Sequence, residues 1–149
     1  MRESRLLVAA RARLAKGEAA FWSKEGLHEL QEGLAMLEEL LEDPGEAACH
    51  AIARNVGRSY LARIYARAAA RVAADPHIPE PELEHLFRVL RSFDDTGFEL
   101  PPEARALKIE VVRRLVGLYY EGHGAGTKHP ILEELEALLR GGDGSDGAV

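Results

Sequence analysis

The chain has one cysteine, Cys49, among its 149 residues, and aromatic residues make up only 6% of it. A single thiol excludes an intramolecular disulfide and a multi-cysteine zinc site, and it indicates a reducing compartment. No apolar run approaches the roughly 20 residues that cross a bilayer, and the N-terminus lacks the apolar stretch of a secretory signal. We therefore expect a cytoplasmic protein that makes no membrane contact.

No catalytic motif is recognisable in the sequence. Two E-x-x-H spacings, Glu25 to His28 and Glu82 to His85, have the form of the ligand motifs in di-metal helical bundles. At about 100° per residue, however, both imidazoles lie far from the leucine stripes of their helices and should point to solvent, whereas such ligands point into the core. The sequence thus predicts no metal site and no cofactor, and it favours a role other than catalysis.

The charged residues change sign block by block, and each block carries one helix-like apolar pattern. The blocks are alternately basic and acidic, beginning with a basic one: 1–16, 17–46, 47–75, 76–103, 104–129 and 130–149. Neighbouring helices of opposite charge attract one another when they pack side by side. We therefore predict an all-α fold, either a six-helix bundle or a short array of three antiparallel helical hairpins, in one domain over residues 1–140 with a disordered tail over 141–149.

The apolar spacings also place the helix ends and the buried faces. The second helix should stop at Asp43-Pro44-Gly45, and Gly17 should end the first helix. The fifth helix carries apolar residues beyond one stripe and is expected to be the central, most buried element. The predicted core faces are Leu27, Leu30, Leu34, Leu37 and Leu41 in the second helix, Ile52, Val56, Tyr60, Ile64, Ala68 and Val72 in the third, and Leu83, Leu86, Phe87, Leu90 and Phe93 in the fourth.

Arg63, Arg67 and Arg71 follow one another at four-residue steps and form a ridge along the third helix. Such a ridge could bind nucleic acid, and a nucleic-acid-binding regulator is one alternative function. The chain as a whole is acidic, with a net charge of −6, so ion pairs with carboxylates of neighbouring helices are the competing interpretation. We expect ion pairs, and nucleic acid is disfavoured as a partner.

The segment from Gly122 to His129 is rich in glycine and precedes Pro130, which should begin a sixth helix. Its Thr-Lys order does not match a Walker phosphate loop, which needs Gly-Lys-Ser/Thr after a strand. Free amides at a helix start, with His123, Lys128 and His129 beside them, could still hold a phosphate or carboxylate. A small-molecule or anion-binding protein is therefore another alternative, although a flexible connector explains this segment more simply.

Two pairs of adjacent aromatic residues stand out, Phe21-Trp22 and Tyr119-Tyr120. Adjacent helical side chains are about 100° apart, so one ring of each pair can be buried while the other is partly exposed. The candidate partner-binding residues are Phe21, Trp22 and Tyr120 as apolar anchors and Arg63, Arg67 and Arg71 as the charged rim. Since no reactive groups converge, the sequence favours a non-enzymatic helical protein–protein interaction module, an adaptor or a self-associating scaffold, that binds another protein or a second copy of itself.

Overall fold

A computed structural model of the chain describes residues 4–123 and residue 137. The regular elements of this part are all helical: α1 at Arg5–Ala19, α2 at Lys24–Glu42, a 3-10 helix at Pro44–Cys49, α3 at His50–Ala74, α4 at Glu80–Ser92 and α5 at Ala104–His123. The all-α class is therefore confirmed, with five α-helices in the described part. The sixth helix predicted from Pro130 onward, apart from residue 137, and the tail over 141–149 lie outside the described residues.

The chain divides into two compact units, and each of them combines two separate stretches of the sequence. One unit combines Met1–Arg67 with Arg91–Pro102, and the other combines Ala68–Leu90 with the chain from Glu103 onward. Within the described residues, none of the helices is both long enough and apolar enough to span a bilayer.

Side-chain caps set the starts of the first two helices. Ser4 Oγ accepts a hydrogen bond from the Leu7 amide at 3.4 Å, and Ser23 Oγ accepts one from the Gly26 amide at 2.9 Å. These hydroxyls satisfy amides that have no partner inside a helix. The second helix ends at Glu42, immediately before the predicted stop at Asp43-Pro44-Gly45, which is therefore confirmed.

Gly17 does not end the first helix, because α1 continues through it to Ala19. A Cβ built on Gly17 would stand 2.6 Å from Leu30 Cγ, and one built on Gly33 would stand 2.6 Å from Leu14 Cγ. Both glycines are therefore sites of close approach between α1 and α2. The prediction that α1 ends at Gly17 was wrong because glycine is favoured both at helix C-termini and where two helices approach closely.

The predicted core face of α2 is largely correct, and that of α3 is correct for four of its six residues, Val56, Ile64, Ala68 and Val72. Leu30, Leu34 and Leu37 are buried, and Leu27 and Leu41 at the ends of the stripe are half-buried. On α3, Ile52 is 44% exposed and Tyr60 is half-buried, although both were predicted to be core. The face that α3 actually buries is Ala53, Val56, Gly57, Leu61, Ile64, Tyr65, Ala68 and Val72.

The segment that follows α4 contributes two long-range contacts to the first unit. Phe98, 6% exposed, packs its ring against Gly57 of α3. Glu38 on α2 accepts hydrogen bonds from the Gly97 amide at 2.6 Å and from Thr96 Oγ1 at 3.2 Å. The Glu38 carboxylate thus stabilises the turn that precedes the buried residue Phe98.

The predicted core face of α4 is confirmed, and a second face of this helix is buried as well. Leu83, Leu86, Phe87, Leu90 and Phe93 are all buried. His85, predicted to face solvent, is only 8% exposed, and Val89 one turn later is 0% exposed. The phase argument was wrong for His85 because α4 is covered on more sides than its leucine stripe indicates.

The helix α5 buries one face, made by Ala104, Leu107, Val111, Val112, Leu115 and Tyr119. Ile109, Val116 and Leu118, which were expected to extend the buried surface around the helix, are only half-buried. They flank the buried face and are partly open to solvent, so the burial of α5 is narrower than its apolar content predicted.

Candidate functional site

The arginines predicted to form a ridge each have an acidic or carbonyl partner within their own unit. Arg63 Nε donates to Glu18 Oε2 at 2.8 Å, and the guanidinium lies 4.1 Å from the centre of the Tyr60 ring. The hydrogen bond to Glu18 is the largest cause that raises the pKa of Arg63. Arg67 Nη1 donates to the backbone oxygen of Glu18 at 2.6 Å.

Arg71 is held by two carboxylates. Its Nη2 donates to Glu82 Oε1 at 2.8 Å, its Nη1 donates to Asp75 Oδ2 at 3.2 Å, and its Nε also donates to Glu82. The hydrogen bond from Arg71 is the largest cause that lowers the pKa of Glu82. The positive ridge is therefore crossed by carboxylates, which favours the ion-pair interpretation over phosphate binding.

The two residues of the second E-x-x-H spacing, Glu82 and His85, have different surroundings. Glu82 pairs with Arg71, while His85 is buried on the same helix. Across the described residues, no three His, Cys, Asp or Glu side chains converge closely enough to hold a metal ion.

Each aromatic pair has one buried ring and one exposed ring, as predicted, although Phe21 and Trp22 lie in the turn between α1 and α2 and not in a helix. Phe21 is 1% exposed and its ring meets that of Trp22 edge-on at 4.6 Å, whereas Trp22 is 43% exposed. Tyr119 is 2% exposed and its hydroxyl donates to Glu84 Oε1 at 2.5 Å, whereas Tyr120 is 49% exposed. Phe21 thus lies in the core, and the exposed rings are those of Trp22 and Tyr120.

The residues predicted to bind an anion, His123, Lys128 and His129, lie outside the described side chains. The α5 backbone ends at His123, whose side chain is not described, and residues 124–129 lie beyond the described range. This site stays a prediction.

Among the described residues, a groove between α1 and the first half of α3 has mixed apolar and cationic walls. It has a volume of about 380 Å³ and is lined by Arg11, Ile52, Asn55, Val56, Ser59, Tyr60 and Arg63. We call it the α1/α3 groove. All seven residues belong to the first unit, and none of them is acidic.

The α3 wall of this groove follows one helical face. Its residues recur every three or four positions and are Ile52, Val56, Tyr60 (or Ser59) and Arg63. Together they span three turns of α3, or roughly 16 Å at 1.5 Å per residue. Along this wall the groove runs from Ile52, which is apolar, to Arg63, which is cationic.

Sequence reasoning found Arg63 but missed the rest of this groove. Ile52 and Tyr60 were assigned to the core because they recur at helical spacing with Val56 and Ile64, which are buried as predicted. A second set, Ala53, Leu61 and Tyr65, was available one residue further along the helix in each case. An alanine-rich helix offers two overlapping stripes, and only the packing decides which one is buried.

The comparisons give no guide to the role of this groove. Neither the protein-family models, nor the curated proteins, nor the solved structures yield a significant match to this chain.

Proposed function

We propose that the protein is a non-enzymatic helical interaction module that binds a partner protein in the α1/α3 groove. The observation that carries this proposal is an exposed apolar residue, Ile52, beside two arginines in one recess. Aromatic residues and arginine are enriched among the residues that dominate binding energy at protein interfaces, and Tyr60, Arg11 and Arg63 line the same recess.

The shape of the recess supports a macromolecular ligand. A pocket for a small molecule encloses most of its ligand surface. Here Ile52 is 44% exposed and the Arg63 side chain is 49% exposed, so the walls are shallow and a long, flat contact fits better. A reducing, cytoplasmic location accords with the single cysteine, Cys49, which is buried at 6% exposure.

Position-resolved crosslinking tests the proposal. A photoreactive phenylalanine analogue replaces Ile52 in the full chain, which is then irradiated in lysate from the source organism. The control places the same residue at Ala62, which is exposed on the same helix but does not line the groove. We expect a discrete protein adduct from position 52 that is absent from position 62 and is lost when Arg11→Glu is added.

An adduct whose mass is twice that of the chain identifies a second copy as the partner, and light scattering should then show a dimer that Arg11→Glu dissociates. Equal labelling from both positions, or no adduct from position 52, would contradict the proposal.

A further inference from the structure

We infer that residues 96–99 form a strap that opens as one unit while the helices around it stay folded, and that the Glu38 carboxylate is its latch. The strap lies between α4 and α5 and belongs to neither helix. It is part of the first compact unit, as are the residues of α2 and α3 that it contacts. None of the strap residues lines the α1/α3 groove, so its opening does not depend on the proposed function.

Polar contacts attach the strap to α2 and to α3. Glu38 Oε1 on α2 accepts hydrogen bonds from the Gly97 amide at 2.6 Å and from Thr96 Oγ1 at 3.2 Å. On α3, Arg58 lies 3.9 Å from Glu99, but these side chains are 56% and 78% exposed, and such pairs contribute little to stability. In the part of the chain that the structure describes, Glu38 is therefore the main polar attachment of the strap.

One buried side chain completes the attachment. Phe98 is 6% exposed, and its ring occupies the space that a side chain on Gly57 would take. Thr96 is half-buried, and Gly97 and Glu99 are exposed. Opening the strap therefore uncovers one ring and the surface of α3 at Gly57, whereas unfolding of the whole unit uncovers its entire core.

The packing beside the latch is incomplete. Protein interiors contain few voids larger than a water molecule, yet a recess of about 140 Å³ lies between α2 and the chain that leads into the strap. The recess is lined by Gln31, Leu34, Ala35, Glu38, Ser92, Phe93, Asp95 and Thr96. A segment outside the helices that leaves space beneath it has few contacts to break, and such segments open at a lower free energy than the core does.

The two attachments should break together. The Phe98 amide donates to Thr96 Oγ1 at 3.5 Å, and the same hydroxyl donates to Glu38. Release of Glu38 therefore loosens the backbone that carries the ring, and displacement of the ring draws the Gly97 amide away from Glu38. Glu38 and Gly57 thus control one opening although they lie on different helices.

Amide hydrogen exchange of the full chain, followed by NMR at several low urea concentrations, tests the inference. The reporters are the Gly97 amide in the strap and the Ile64 amide, which belongs to a fully buried residue in the middle of α3. After correction for intrinsic rates, Gly97 should exchange at least about tenfold faster than Ile64 and depend less on urea, because a local opening exposes less surface than unfolding does.

Variants at the two attachments test their coupling. Gly57→Ala displaces the ring and leaves the Glu38 carboxylate in place, yet it should speed exchange at Gly97 at least about tenfold. Glu38→Gln weakens the latch and should speed exchange of the Thr96 amide, which donates to the Phe93 carbonyl and not to Glu38.

Two matched controls separate the strap from general stability. Gly33→Ala also crowds a buried contact, that with Leu14, but it disturbs the open and closed strap equally. It should speed exchange at Ile64 and leave Gly97 unchanged. Glu39→Gln removes a charge from the exposed residue beside the latch and should leave both reporters unchanged.

Three results would overturn the inference. Equal rates and equal urea dependence for Gly97 and Ile64 would mean that the strap opens only when the unit unfolds. An unchanged rate at Gly97 in Gly57→Ala would mean that ring and latch are not coupled. Faster exchange at Gly97 in Gly33→Ala would mean that Gly97 reports general stability. If Gly57→Ala does not fold, Phe98→Leu takes its place with the same expectation at Gly97.

Discussion

Gly57 lies directly against the ring of Phe98, so close that a Cβ built on Gly57 would stand 2.5 Å from Phe98 Cε1 and 2.6 Å from Cδ1. The ring is itself buried and cannot move away without disturbing its neighbours. We expect Gly57→Ala to lower the free energy of unfolding by about 1–3 kcal/mol, the usual cost of overpacking. Urea unfolding followed by circular dichroism measures the change.

Gly117 provides the matched control, because it also lies inside a helix but nothing stands within 4 Å of a Cβ built there. Gly117→Ala should raise the free energy of unfolding by about 0.5–1 kcal/mol through helix propensity alone. If Gly57→Ala also stabilises the protein, the Phe98 contact does not constrain this position.

A second prediction concerns the seam between α1 and α2. Leu14 is 0% exposed, and its Cγ and Cδ2 atoms would lie 2.6 and 2.8 Å from a Cβ on Gly33. Gly33→Ala should cost about 1–3 kcal/mol and Leu14→Ala about 2–5 kcal/mol. In the double variant the new methyl group enters the space that Leu14 leaves. The double variant should therefore lose less free energy of unfolding than the sum of the two single losses, by at least about 0.5 kcal/mol.

Leu40 is a suitable control for this cycle. Like Leu14 it is fully buried, but it lies on α2, two turns beyond Gly33. Gly33→Ala and Leu40→Ala should add within about 0.5 kcal/mol. Additivity in both cycles would mean that Leu14 and Gly33 are not in contact.

Arg114 on α5 is predicted to stabilise the end of α3. Its Nη2 donates to the Val72 backbone oxygen at 3.0 Å and its Nη1 to the Asp75 backbone oxygen at 2.8 Å. These carbonyls lie in and just after the last turn of the helix, where a cation also interacts favourably with the helix dipole. Arg114→Met should lower the free energy of unfolding by about 1.5–3 kcal/mol, and thermal or urea unfolding measures it.

The neighbouring Arg113 is exposed on the same helix and supplies the control. Arg113→Met should change the free energy of unfolding by no more than about 0.5 kcal/mol. Similar losses in the two variants would indicate that total charge, rather than the contact with α3, is responsible.

The ion pair of Arg71 and Glu82 predicts a dependence of stability on pH. Arg71 lowers the pKa of Glu82 below the ordinary value of 4.5, so the unfolded chain binds a proton more readily than the folded chain does. The stabilisation is therefore present above pH 4.5 and is lost as the pH falls through the lower folded value. Glu82→Gln should be less stable than the wild type at pH 7, and the difference should shrink as the pH falls below 4.5.

Urea midpoints between pH 3 and 7 (about one unit apart) provide the measurement. Glu39→Gln, at an exposed position of α2, removes the same charge and should show no comparable loss at pH 7. A difference for Glu82→Gln that stays constant with pH would exclude titration of this carboxylate as its source.

Much of the fold follows from the spacing of leucines, and the failures have a common cause. The α2 and α4 stripes are strong, with polar residues between their apolar positions, and most of the residues predicted to be buried on them are buried. In α3, alanine at many positions leaves the phase of the helix undecided, so Ile52 was placed inside and Tyr65 was overlooked. Tyr65 is 1% exposed, and burial together with the nearby Asp94 raises its pKa to about 12.

The candidate site was less predictable than the fold. The ion pairs of Arg63 and Arg71 were expected from the alternating charge, but the partners themselves, Glu18 and Glu82, depend on how the helices pack. The burial of His85 likewise depends on what covers a second face of α4. The groove is formed by residues of two helices. The apolar spacing within each helix does not predict how the two helices lie beside each other.

The discontinuous first unit has a consequence for synthesis on the ribosome. The turn that Glu38 holds and the ring that covers Gly57 both come from the segment Arg91–Pro102. When α1, α2 and the first half of α3 have left the exit tunnel, that segment is still inside it. Part of the interior of the first unit therefore stays uncovered until residue 102 has also left the tunnel.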